Sequence, residues 1–243
     1  MVMDRPGEGG AAVCARDLGF AWPGRSRFEL RIDRFEVARG ERLLLLGPSG
    51  AGKSTLLSLI CGIAPPNEGA IEVLGEDLAA MRGPARDRFR AEHYGVVFQM
   101  FNLLPYASAI DNVMLALSFA PGRRARAGAE RPARAEAERL LIALGLDGTM
   151  MAHGLAASLS VGQQQRVAVA RALIGAPEIV VADEPTSALD TQAQDAFLDL
   201  LFDQIRAVNA ALIMVSHDER LAPRFDRVVQ LADFAQISRE VTA

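Results

Sequence analysis

Lysine is nearly absent from this chain: of 26 lysine and arginine residues, only Lys53 is a lysine. Cysteine is scarce as well. Cys14 and Cys61 stand far apart, and neither belongs to a Cys-x-x-Cys or Cys/His group. That argues against a disulfide framework and a cysteine-based metal site, and it fits a reducing cytosol. No apolar run approaches the roughly 20 residues needed to span a bilayer. Residues 1–12 carry glycine and charge where a signal peptide would have an apolar segment. Any membrane association is therefore expected to come through a partner. With 30 acidic residues and a net charge of −4, the chain offers no whole-molecule attraction for nucleic acid. Internal repeats and long low-complexity stretches are also missing.

What is present suits a folded protein. Half of the 243 residues are hydrophobic and 23% are charged, enough for one sizeable domain or two small lobes with a real core. Val13 to Trp22 and Phe28 to Val37 alternate apolar and polar residues, as half-buried antiparallel strands do. Pro23–Gly24 between them reads as a turn. The segment 80–165 is mainly helical, with helices expected over Met81–Glu92, Ala109–Phe119 and Ala135–Leu144 and a short strand over Tyr94–Phe98. The arginine-rich run Gly122–Arg134 reads as a solvated loop entering a helix, with an anion-binding patch as the rival reading. Beyond it come a helix over Gly162–Ile174, a buried strand over Ile179–Ala182 and an amphipathic helix over Thr191–Val208. Apolar strands follow at Ala211–Val215 and, last, at Arg227–Leu231. Short apolar strands alternating with helices indicate an α/β fold with a mostly parallel sheet. The chain ends about a dozen residues after Leu231, so no C-terminal regulatory domain is expected.

The most specific motif is Gly47-Pro48-Ser49-Gly50-Ala51-Gly52-Lys53-Ser54, a G-x-x-x-x-G-K-S phosphate-binding loop. An apolar run, Leu43–Leu46, precedes it and a helical stretch from Thr55 follows, which is the context the motif requires. Glycines let backbone N–H groups approach phosphate, and the helix adds its positive end. Lys53 should reach the β- and γ-phosphates and the Ser54 hydroxyl should ligate Mg²⁺. Arginine is accepted nearly everywhere else in the chain. Lysine at this position fits the need for a compact ammonium among phosphates.

Other residues carry weaker signals. Asp183 and Glu184 end the apolar strand Ile179–Ala182, at the edge where open α/β sheets bind ligands. Asp183 would hold Mg²⁺ and Glu184 would polarise an attacking water; capping of the next turn is the plainer use. Ser160, Gly162 and Gln163 open a helix, and an ordinary N-cap would look the same. His217 follows Ala211–Val215 and could donate to a γ-phosphate. Gln99 ends Tyr94–Phe98 and says little alone.

Taken in order and spacing, Gly47–Ser54, Gln99, Leu159–Gln163, Asp183–Glu184, Ser187–Asp190 and His217 resemble the ATPase subunits of ABC transporters, from about residue 13 onward. The resemblance implies a P-loop NTPase, RecA-like core with an antiparallel β-subdomain (about 13–79 and 166–235), a helical subdomain (about 80–165), and tails at 1–12 and 236–243. It implies ATP and Mg²⁺ bound between two copies arranged head to tail. The loop from Gly47 through Thr55 of each copy would face Ser160, Gly162 and Gln163 of the other. Gln99 would sense Mg²⁺ and couple to a membrane permease, His217 would contact the γ-phosphate, and Asp190 would align the opposing site. Trp22 stands where the family places an aromatic residue against adenine, and Phe20 is assigned to the core. Val161 replaces the first glycine of the usual L-S-G-G-Q. Ser160 and Gly162 remain, so hydrolysis is expected to survive.

Val97–Pro105, Asp111–Val113 and Ser160–Val167 are similar to the lipoprotein-release and macrolide-export ATPases. That implies a subunit on the cytoplasmic face of the membrane, driving export or extraction of a lipid-like, lipoprotein or drug-like substrate. The apolar stretch Phe101–Leu104 is read as part of a groove for the permease, with core packing as its rival use. Two other classes are kept: an ATPase that transmits force across the envelope without moving solute, and a soluble ABC ATPase acting on nucleic acid or ribosomes. The second fits less well. Chromosome and repair types carry a long coiled coil, and translation types carry two cassettes.

Overall fold

The computed structural model describes residues 10–22, 27–48, 50–146, 154–187 and 189–240. The Pro23–Gly24 turn, Ser49 and Ala188 lie outside them. The chain divides into two compact units, one running to Arg90 and resuming at Ile213, the other Ala91–Leu212.

An antiparallel sheet dominates the first unit. Strand β1 (Ala11–Ala21) lies between β2 (Arg27–Ala38) and β4 (Glu68–Val73), with β5 (Glu76–Asp77) beyond β4. Register pairs Val13 with Val37 and Val73, and Ala15 with Phe35 and Ile71. All six are buried, which is what the apolar alternation foretold. A bulge between Arg16 and Gly19, with Asp17 at φ 49°, puts two polar residues in succession outside and returns Leu18 to the interior.

The sheet has one strand more than the sequence suggested. Strand β10 (Ala235–Glu240) pairs antiparallel with β2, setting Ile237 opposite Leu30. By its pattern the sequence places the last strand at Arg227–Leu231 and a tail at 236–243; β10 overlaps that tail. An edge strand covered on one side needs few apolar residues, and β10 supplies little beyond Ile237.

The same unit holds a parallel pair, β3 (Arg42–Leu46) beside β9 (Arg227–Gln230), with Leu43 opposite Arg227 and Leu46 opposite Gln230. Arg42 fixes its start: backbone N, Nε and Nη2 all donate to the Asp226 carboxylate at 2.8, 3.1 and 2.5 Å. The leucines of β3 are buried on both faces, hence the unbroken run in the sequence. Helix α1 (Lys53–Ile60) follows, burying Leu56, Leu57, Leu59 and Ile60.

In the second unit β6 (Tyr94–Val97) runs parallel to β7 (Ile179–Asp183), Tyr94 opposite Ile179. Helix α2 (Gly83–His93) leads into β6. Helices α3 (Ala109–Leu115), α5 (Ala133–Ala143) and α6 (Val161–Leu173) pack on one another. Helix α6 also lies close over β6: a Cβ at Gly95 would stand 2.2 Å from the Ala172 carbonyl, so only glycine fits. Helix α7 (Thr191–Val208) ends at Asn209 in the left-handed region. Strand β8 (Ala211–Ser216), wholly buried, follows, and the chain returns to the first unit within it, at Ile213.

The arginine-rich run departs from its expected form. Helix α4 (Pro121–Ala127) begins where a loop was foreseen, with Pro121 at its first position. The Glu92 carboxylate accepts from the Gly122 and Arg123 backbone N–H groups at 2.9 and 3.0 Å, favourable at a helix N-terminus. Arg123 is only 3% exposed. Its guanidinium donates to the carbonyls of Ala91, Tyr94, Ala172 and Ile174, and so caps the C-terminal end of α6. Burial lowers its pKa to about 10, still a charged group at neutrality.

Candidate nucleotide site

Strand β3 delivers the chain into the glycine-rich loop. Gly50 and Gly52 take φ 77° and 88°, values that suit glycine. Ala51 N–H closes a turn on the Pro48 carbonyl at 3.1 Å. A Cβ on Gly52 would come 3.1 Å from Phe28 Cζ and 3.2 Å from Ile237 Cδ1, so β2 and β10 back the loop. Gly52 caps α1 without a side-chain bond, and the first turn holds no acid. The positive end of the helix dipole therefore lies at the glycine-rich loop, with no acid in the first turn to offset it. Lys53 is 5% exposed, and its Nζ donates to the Gly47 and Pro48 carbonyls at 2.5 and 3.0 Å. The ammonium is thereby held over the loop. Ser54, next along, is exposed.

Trp22 lies just past the end of β1. Its indole N–H donates to Thr55 Oγ1 at 3.2 Å, and its ring meets Phe20 edge-on with centroids 4.9 Å apart. Phe20 is buried, while Trp22 is 44% exposed, so one aromatic belongs to the core and the other offers a face. His217 stands exposed at the end of β8. The Asp218 N–H behind it bonds Ser216 Oγ at 3.0 Å, fixing the turn.

The second unit holds the remaining candidates. Asp183 closes β7 half-buried, and Glu184 follows at φ 45°. A left-handed glutamate costs about 1–2 kcal/mol, and such strain gathers at functional sites. The Glu184 carbonyl accepts from Ser187 N–H at 3.3 Å and Ser187 Oγ at 3.0 Å. Gln99 is exposed just after β6. Ser160 and Gln163 form a reciprocal capping box on α6: Ser160 Oγ accepts from Gln163 N–H at 3.3 Å, and Ser160 N–H donates to Gln163 Oε1 at 2.8 Å. Val161 is 51% exposed on the first turn. A Cβ added to Gly162 would meet nothing within 4 Å. Asp190 caps α7 through Ala193 N–H at 2.8 Å.

The candidates thus fall into two groups: Trp22, the Gly47–Thr55 loop and His217 in the first unit, and Gln99, Ser160–Gln163, Asp183, Glu184 and Asp190 in the second. The apolar stretch near Gln99 needs correcting. Phe101 turns inward and is buried, with φ 56°, whereas Phe98, Met100 (82% exposed) and Tyr106 are the large apolar side chains left exposed along this stretch. Two polar residues of α6 were missed. Gln165 donates to the Pro185 carbonyl at 2.6 Å, and Arg171 donates to the Phe101 and Asn102 carbonyls at 2.5 and 2.6 Å. The only hint of Arg171 was one charge in the apolar run Val167–Leu173.

A family model described as ABC transporter matches residues 30–187. The chain is 46% identical over 198 residues to the lipoprotein-releasing system ATP-binding protein LolD of Anaeromyxobacter dehalogenans, spanning 81% of this chain and 80% of that one. It is 38% identical over 197 residues to the macrolide export ATP-binding/permease protein MacB of Rhodopirellula baltica, spanning 81% of this chain and 28% of that one. Among solved structures it is similar to the ATP-binding cassette MJ0796, a dimer in a post-hydrolysis state bound to ADP and Pi. The TM-score is 0.79 at 33% identity, over 90% of this chain and 93% of that one.

Proposed function

The chain belongs to the ABC transporter family as an ATP-binding, ATP-hydrolysing subunit, and from that premise we propose that two copies close head to tail over two ATP molecules and drive a membrane permease. The single observation that carries this reading is the open space at Gly162. Glycine is a poor helix former compared with alanine, and this chain gives no steric reason for it at the second position of α6. A phosphate approaching from a second copy supplies the reason, since α6 offers its N-terminal end there.

Within the composite site, Trp22 stacks on adenine and the Gly47–Thr55 loop cradles the phosphates. Lys53 exchanges the Gly47 and Pro48 carbonyls for β- and γ-phosphate oxygens. Glu184 orients the attacking water and accepts its proton as the water oxygen bonds the γ-phosphorus and ADP leaves. His217 donates to the γ-phosphate. Ser160, Gly162 and Gln163 of the second copy bind the same group, and Asp190 aligns that side. Ser54 in the first unit, and Gln99 and Asp183 in the second, carry the hard oxygen donors that Mg²⁺ takes beside phosphates. When bound, that ion neutralises charge on the β- and γ-oxygens.

Among the described residues no helix is long and apolar enough to cross a membrane; in this reading the cassette acts on a membrane permease. The exposed Phe98, Met100 and Tyr106 give it an apolar docking surface on the cytoplasmic side. The name of the Rhodopirellula relative, which joins ATP binding to a permease, supports the pairing. The LolD and MacB likenesses favour extraction or export of a lipid-like, lipoprotein or drug-like substrate. Affinity capture from detergent-solubilised membranes tests this. Recovery of a multi-span permease supports transport, a cell-wall hydrolase regulator points to force transmission, and DNA or ribosomes would overturn the reading.

A further inference from the structure

Helix α6 does more than present Ser160. Gln165 and Arg171 lie five and eleven residues beyond it on the same helix, about 8 and 16 Å along the axis at 1.5 Å per residue. Each reaches out to a backbone segment beside a candidate catalytic group. The buried Gln165 amide bonds the carbonyl of Pro185, the residue after Glu184. The Arg171 fork bonds the consecutive carbonyls of Phe101 and Asn102, two and three residues past Gln99.

Both segments are strained. Glu184 sits at φ 45°, and Phe101 and Asn102 at 56° and 49°, none of them glycine. Such conformations persist only where surrounding contacts over-determine them. The loop after Gln99 has a second anchor in the buried Asn112, which exchanges hydrogen bonds with the Leu104 backbone at 2.7 and 3.1 Å. It is also joined to the approach to Ser160, since Ala156 and Ala157 N–H donate to the Ala107 and Pro105 carbonyls at 2.9 and 3.1 Å.

We propose that Gln165 and Arg171 are positioning residues that make α6 a rigid link, holding the Gln99 loop and the Glu184 turn in register with Ser160. When Ser160 docks on the nucleotide of a second copy, the Gln99 loop and the Glu184 turn move with the helix. Docking and alignment for hydrolysis are then one event. This rests on the composite-site reading above. Lysine replaces Arg171 only in part, because a single ammonium can reach a carbonyl but does not reproduce the planar fork that spans two of them.

The test uses the full chain and its Gln165→Met, Arg171→Ala and Arg171→Lys variants. It measures MgATP hydrolysis, KM, nucleotide-binding stoichiometry and thermal unfolding. The expected result is unchanged stoichiometry and near-unchanged KM, with kcat lower by about tenfold to a hundredfold, as misplacement of reacting groups produces. Arg171→Lys recovers part of the loss. Folded variants that hydrolyse ATP like the wild type overturn the proposal. So does a parallel fall of kcat and stoichiometry, which marks a purely structural role, or unfolding of all three variants. A wild-type chain that neither binds nor hydrolyses ATP overturns the underlying reading as well, which separates the two failures.

Discussion

Trp22 donates its indole N–H to the Thr55 hydroxyl at 3.2 Å, tying the only tryptophan of the chain to the first turn of the helix that Lys53 begins. The aromatic face and the phosphate loop are thus one local assembly. Trp22→Ala should weaken ATP binding by about 1–3 kcal/mol, the range for a lost base stack. Binding of inorganic triphosphate should stay the same. Trp22→Phe should keep most of the affinity. Titration calorimetry with the two ligands separates the outcomes, and an equal loss for both would remove Trp22 from the adenine site.

Lys53 is buried and held by two carbonyls of its own loop. Lys53→Ala should abolish measurable nucleotide binding, and Lys53→Arg should not restore it. A planar guanidinium needs more room than the ammonium has between Gly47 and Pro48. Equilibrium dialysis with labelled ATP checks both, and a binding constant that barely changes in Lys53→Ala contradicts the phosphate-loop role.

Arg123 tests the architecture apart from the chemistry. Removing it strands the carbonyls of Tyr94, Ala172 and Ile174 in the interior. Arg123→Ala should lower unfolding stability by about 3 kcal/mol, the scale for buried acceptors left unpaired. Urea denaturation measures it. A change within about 0.5 kcal/mol, the usual size for a surface substitution, would mean that Arg123 behaves as a surface residue.

Much of the framework around the candidate site was legible because its signals are local. The strand before the phosphate loop and the helix after it, the strand that ends at the acids Asp183 and Glu184, and the bounds of α7 depend on neighbours in sequence, and these elements stand where the pattern put them. The failures are non-local. An arginine-rich run reads as wet surface unless one knows that carbonyls 49 and 51 residues away will converge on Arg123. Phe101 reads as surface beside Gln99 until a left-handed backbone turns it inward. Strand β10 carries too few apolar residues to announce itself, although its Ile237 backs Gly52. Hydrogen bonds from Gln165 and Arg171 to main-chain carbonyls leave no side-chain signature at the receiving end.

Glu178 should give the protein a modest acid sensitivity. Burial pushes its carboxyl pKa up, but the hydrogen bond and charge of His93, whose Nδ1 is 3.1 Å away, outweigh that and leave it below the ordinary value. A carboxylate with a depressed folded pKa contributes stability above the unfolded value, about 4.3. That contribution disappears as pH falls through the folded value. Glu178→Gln should therefore be less stable than the wild type near pH 7. Solvent screening limits the difference to under about 1 kcal/mol. The gap should close on acidification below about pH 4. Denaturation midpoints across this range decide it, and a gap that stays constant with pH would remove the ion pair as its cause.

The central claim is that the nucleotide site is completed by a second copy of the chain. The most direct measurement is the mass of Glu184→Gln in solution with Mg²⁺ and ATP, against ADP and against no nucleotide. Loss of the carboxylate should leave ATP binding intact and block hydrolysis. The account predicts a dimer holding two ATP molecules only in the first condition. A variant that stays monomeric with ATP and hydrolyses it at the wild-type rate would contradict both the composite site and the role given to Glu184.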